Sequence, residues 1–128
     1  MANTATLVQS LKVVSGTQTT INEQQKTTYA TPSGSDVAIF TQDIPTTAGG
    51  TAIAFPAAMG SLGWSMFENL DPTNYVQIGR QSGGSFLPLF RVSPGMKAGP
   101  LELDCTTSQV YALANTGTVK LRVAANEA

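Results

Sequence analysis

Apolar residues in this chain recur at every second position over short runs, and Gly, Pro and Asn cut those runs at intervals of about ten residues. A period of two puts alternate side chains on opposite faces of a strand, so the pattern describes half-buried strands and leaves helix the minority expectation. Val119, Leu121 and Val123 alternate with Lys120 and Arg122, three apolar groups on one face and two cations on the other. Val110 to Ala114 predicts a second strand, joined to the first through Asn115-Thr116-Gly117 as a C-terminal hairpin. Leu101, Leu103 and Cys105 face one way and Glu102 and Asp104 the other, after a Gly99-Pro100 break.

Phe86 to Val92 predicts another strand, and its Pro88, which has no N–H to give a ladder, places it at an edge or on a bulge. Further strands fall at Tyr75 to Ile78, before the Ser82-Gly83-Gly84 turn, and at Leu62 to Leu70, before Asp71-Pro72-Thr73-Asn74. Trp64 and Met66 alternate within the latter and are expected in the core. In the N-terminal half, Leu7, Leu11 and Val13 mark one strand, Val37, Ile39 and Phe40 another, and Thr51 to Phe55 one more, with Thr46 to Gly50 as a link. Thr17 to Thr31 is almost wholly polar. It fits a solvent-facing strand, a long loop or an arm that orders on assembly, and the sequence leaves all three open.

About eight to nine strands follow, without repeats or heptads. The expected fold is all-β: a single antiparallel β-sandwich, jelly-roll or immunoglobulin-like, with residues 1–31 as a Thr-rich strand or arm and 32–128 as the sandwich. A chain of 128 residues is long enough to bury one core without staples. Only 12% of its residues are charged, so the surface must be built largely from Thr, Ser, Gln, Asn and Gly.

Charge and chemistry narrow the function. Seven Lys and Arg against eight Asp and Glu, scattered along the chain, offer no basic stripe for phosphates, so nucleic acid is not an expected partner. No membrane segment and no secretory leader is expected either, which points to synthesis in a cytoplasm. Histidine is absent, removing the commonest general base and transition-metal ligand. Cys105 is the one cysteine and is expected as a buried, inert thiol.

Glu102 and Asp104, about 7 Å apart at i and i+2, form the one pair spaced for glycosidase-type chemistry, but on a strand of this kind they more often face solvent. Glu68, Asn69, Asp71 and Asn74 cluster oxygen atoms without the spacing of a calcium loop, so turn-capping bonds are the better reading. Ser82-Gly83-Gly84 and Gly49-Gly50 lack the spacing of phosphate-binding loops and are read as turns. No catalytic, cofactor-binding or metal-binding residue is therefore expected, and the protein is expected not to be an enzyme.

Three segments, FENLDPTNYVQIG at 67–79, FLPLFRVSPG at 86–95 and YALA at 111–114, carry a resemblance. Together they resemble small virion proteins of tailed bacteriophages, especially decoration or cement proteins that attach to the capsid, over roughly residues 62–124. That resemblance implies a structural protein on the outer surface of the virion. It further implies the major capsid protein as partner, a homotrimer at threefold positions, and no cofactor. A head-fibre, tail or neck module binding a host glycan or another virion protein is the alternative. The arm from Ala2 to Thr31, too polar for a core and long enough to reach a neighbour, is expected to supply lattice or inter-subunit contacts.

Overall fold

In a computed structural model, residues 3–31 and 37–127 are described. The chain divides into two compact units, residues 1–35 and 36–128. The first is a two-stranded antiparallel ribbon of β1 (Asn3–Ser15) and β2 (Gln18–Thr31), paired from Asn3 opposite Thr31 to Ser15 opposite Gln18, with a register shift where Val13 faces Ile21 but Val14 faces Thr19. Gly16, at φ +63°, supplies the left-handed residue that lets so long a ribbon reverse in two residues. Of the three readings open for Thr17 to Thr31, the strand is the one found, paired along its length with β1.

The second unit is a sandwich of two four-stranded antiparallel sheets. One runs in the order β3 (Val37–Ile44), β10 (Val119–Glu127), β5 (Leu62–Asn69), β8 (Lys97–Glu102). The other runs β4 (Thr51–Ala52), β9 (Tyr111–Ala114), β6 (Val76–Ser82), β7 (Ser85–Val92). The pairs are nested: β3 with β10, β4 with β9, β5 with β8 and β6 with β7. One long antiparallel ribbon wrapped into two sheets has this connectivity, which is the jelly roll rather than the immunoglobulin fold.

The core lies between the sheets. Ile44, Phe67, Val119, Leu121 and Val123 come from one sheet and Val76, Ile78, Val92 and Ala112 from the other, all essentially removed from water. Phe67 reaches across to Phe90, ring centroids 5.9 Å apart. On β3 the inward position Gln42 is polar, yet it serves a purpose: its Nε2 donates to the Ala52 carbonyl at 3.0 Å and its Oε1 accepts from the Ala54 N–H at 2.8 Å. Those two bonds hold the very short β4 in place of a longer ladder.

Several local expectations are corrected. Val110 to Ala114 and Val119 to Val123 both form strands, but β9 and β10 belong to different sheets, so Asn115 to Gly117 turns a corner between sheets and does not close a hairpin. Gly99-Pro100 lies inside β8 rather than before it. The register slips there, Ser65 facing Leu101 but Phe67 facing Ala98, because an edge strand can bulge where Pro has no donor to offer. β7 follows the same logic and meets both readings of Pro88: it is an edge strand, and Leu89 is the extra residue where Ile78 pairs with Phe90 but Gly79 with Pro88.

Trp64 and Met66 do not enter the core. The inward positions of β5 are Ser65, Phe67 and Asn69, so Trp64 and Met66 lie half-buried on the outer face.

Candidate functional site

Three places bring together residues that could act on something else: the Asp71 turn, the β8–β9 loop and the outer face of the β3–β10–β5–β8 sheet.

At the turn after β5 the oxygen-rich cluster closes on itself. Asp71 Oδ1 accepts the backbone N–H of Thr73 at 2.8 Å and of Asn74 at 2.6 Å, and these two bonds hold its carboxyl below the usual carboxylate range. Asn69 is fully buried. Its Nδ2 donates to the carbonyls of Asn74 at 2.8 Å and Val92 at 3.0 Å, and its Oδ1 accepts from the Asp71 N–H at 2.9 Å. Glu68 turns away to pair with Lys97 at 3.4 Å. Asp71 Oδ1 and Asn69 Oδ1 thus order the turn through backbone N–H groups, an Asx-type arrangement. Among the described residues no group of three or more acidic or cysteine side chains converges as metal ligands.

The β8–β9 loop borders an open depression of ≈ 730 Å³, walled by Ser61, Glu102, Asp104, Cys105, Thr106 and Gln109. A 3-10 turn, Thr107–Gln109, shapes one side, and its Gln109 Oε1 accepts the Thr106 N–H at 2.9 Å. Glu102 and Asp104 are both exposed on this rim. In register, Trp64 stands opposite Glu102 on the neighbouring strand. A smaller, more apolar hollow of ≈ 190 Å³ shares Leu103, Asp104 and Cys105 with it and reaches Ile78 and Phe90.

Cys105 packs against the core from this loop, half-buried. Burial pushes its thiol above the usual range, with nearby Arg80 acting in the opposite direction and Asp104 reinforcing the rise. A thiol held protonated is a poor nucleophile at neutral pH.

The outer face of the β3–β10–β5–β8 sheet is divided in two. At one end charges cross the strands in rows, Asp43 beside Lys120 with a 3.6 Å contact and Arg122 beside Glu68. At the other end Ile39, Ala124 and Met66 form one straight cross-strand row, with Val37 next to it on β3. Their chain neighbours Ala38, Ala125, Ser65 and Phe67 are buried in the core, so these four point outward, and Val37 and Ile39 are 71% and 64% exposed. The sequence carried a signal for this: Val37 and Ile39 occupy one parity of β3 while Phe40 and Ile44 occupy the other, as in a strand covered on both faces.

The ribbon also exposes apolar groups, Val8 and Val14 on one face of β1 and Leu11 on the other, each more than half exposed. No family model, curated protein or solved structure matches the chain.

Proposed function

We propose that the protein is a non-enzymatic structural component of a tailed-bacteriophage virion, a decoration or cement protein that binds the major capsid protein on the outer surface of the head and stabilises the shell. The observation that carries this reading is the N-terminal ribbon. Two strands of 13 and 14 residues form a unit of their own, distinct from the sandwich, with apolar groups held out to solvent. A two-stranded ribbon is marginal alone in water and gains stability only by packing its faces on something else. A rigid body with such an arm suits a clamp. The sequence resemblance over residues 62–124 supplies the virion context.

In this reading the protein acts as a homotrimer at threefold positions, each subunit adding a weak contact that multivalency makes strong. The arm supplies lattice or inter-subunit contacts. The test is sedimentation of the purified protein with undecorated capsids, followed by symmetry-averaged imaging. Stoichiometric density at threefold sites, lost when residues 2–31 are deleted, is the expected result; absence of binding by the full chain overturns the reading.

A second reading has its own support: Glu102, Asp104 and Gln109 line an open depression at the β8–β9 loop, and Trp64, outside that lining, stands opposite Glu102 in register on β5, a polar wall with an aromatic neighbour. A head-fibre, tail or neck module binding a host glycan would use it. Binding on a glycan array that disappears in Trp64→Ala would favour this alternative.

A further inference from the structure

We propose that the free edge of β3 is a docking site for a second copy of this chain, whose own β3 adds to it antiparallel across a two-fold axis and joins two β3–β10–β5–β8 sheets into one. This adds a contact between copies to the threefold arrangement above, and it is tested without capsids.

A free strand edge is a template for another chain, and folded proteins guard theirs with Pro, bulges, Lys or brevity. The sandwich has four such edges. β7 carries Pro88 and the Leu89 bulge, β8 carries Lys97, Pro100 and a register slip, and β4 is two residues long. β3 has none of these devices. Its eight residues include no Pro, Lys or Arg, and they pair with β10 from Val37 to Ile44 without a register shift.

The edge is also chemically open. Backbone groups of alternate residues in an antiparallel strand point to opposite sides, so half of the eight residues turn N–H and C=O away from β10. Among the described residues no other strand or loop backbone bonds to β3, which leaves those groups without a protein partner. Val37 and Ile39, both largely exposed, stand where a charged side chain would refuse a neighbour.

The same comparison identifies the occupant. Two strands pair only if both edges are open, and within the sandwich β3 alone qualifies. The free edges of the ribbon carry exposed Lys12 on β1 and Lys26 on β2. The strand best suited to β3 is therefore another β3. A strand meeting its own copy makes an isologous contact that closes at two molecules and leaves neither edge unpaired. Residues opposite one another in such a ladder share a face, so Ala38 and Phe40 stay on the core side and Ile39 and Thr41 on the outer side. Charge permits the contact: Asp43, the one charge on β3, is held by Lys120 at 3.6 Å, and antiparallel pairing sends the two copies of Asp43 to opposite ends.

The experiment uses the full-length chain. Amide hydrogen exchange is followed by NMR over a dilution series whose association state is read by analytical ultracentrifugation. Alternate amides of β3, fast in the dilute protein, are expected to slow at least about tenfold on association. A chain that is monomeric at every concentration overturns the proposal. So does association that leaves the β3 amides fast, and so does slow exchange of all β3 amides in a species shown to be monomeric.

Ile39→Lys and Thr41→Lys each put a guarding cation at an exposed position of the edge. Each is expected to weaken association at least about tenfold with an unchanged strand spectrum. Two variants are used so that one that misfolds leaves the other to be read, and unchanged association in a folded variant defeats the proposal. Either failure leaves capsid binding to its own sedimentation assay, which measures a different partner.

Discussion

The side-chain amide of Asn69 donates to the carbonyl oxygen of Val92 at 3.0 Å, joining the end of β5 in one sheet to the end of β7 in the other at a point with no access to water. The same side chain also ties down the turn after β5 through Asn74 and Asp71. A polar residue in the interior is tolerated because every bond it can make locally is made.

Asn69→Ala leaves the carbonyl of Val92 and the N–H of Asp71 without this partner and opens a void, so it should destabilise the sandwich by about 2–4 kcal/mol. Urea denaturation followed by tryptophan fluorescence measures this directly. A loss under about 1 kcal/mol would mean that the turn is ordered by other contacts.

Gly79 lies against the bulge of β7. A Cβ there would overlap the Leu87 carbonyl oxygen and sit 2.9 Å from the Pro88 Cα, both backbone atoms that cannot swing aside. Gly79→Ala should therefore cost about 2–4 kcal/mol, against about 1 kcal/mol for Gly83→Ala, where φ is +57° but the space is open. Comparing the two midpoints separates overlap from backbone strain.

The depressed carboxyl of Asp71 links stability to acid. Its folded pKa lies below the unfolded value of 3.8, so its contribution is fully present above that pH and is lost as pH falls through the folded value. Asp71→Asn should flatten the acid limb of a stability–pH profile below pH 3.8 and leave the slope near neutrality unchanged. Identical acid limbs in the two proteins would remove Asp71 from the account.

Cys105 should react slowly with Ellman's reagent at pH 7 in the native protein and rapidly once unfolded. Its raised pKa has the opposite linkage: the unfolded thiol ionises first, so the folded state loses this contribution as pH climbs past 9.0. Cys105→Ala should remove that alkaline component. Native-state labelling as fast as in denaturant would contradict the packing of this loop.

The strands were legible wherever one parity is apolar and the other polar. β10 is the clearest case, with Val119, Leu121 and Val123 inward and Lys120 and Arg122 outward. Pro88 revealed both the edge and the bulge, because a missing donor has few places to go. β5 misled because two of its inward residues, Ser65 and Asn69, flank Phe67 and are polar, while Trp64 and Met66 on the outward face are apolar. Hydropathy leaves the two faces ambiguous, and the burial of Phe67 with the hydrogen bonds of Asn69 explains the actual choice. The C-terminal pair misled for another reason. Two adjacent strands joined by a short loop look alike in sequence whether they pair or turn a corner into the other sheet, since that choice depends on the distant partners β3, β4, β5 and β6. Of the candidate sites, the Asp71 turn was visible in its residue types, whereas the Ile39–Ala124–Met66 row required the register of three strands.

Pro88 and the Leu89 bulge have a consequence at high density. A strand sliding up to β7 from outside meets one position that cannot donate and a ladder spacing broken by an extra residue. Exposed Leu87 and Leu89 make that margin sticky, but the backbone denies it a template, so encounters between molecules along it stay reversible. That margin therefore resists fibril growth as the protein is concentrated.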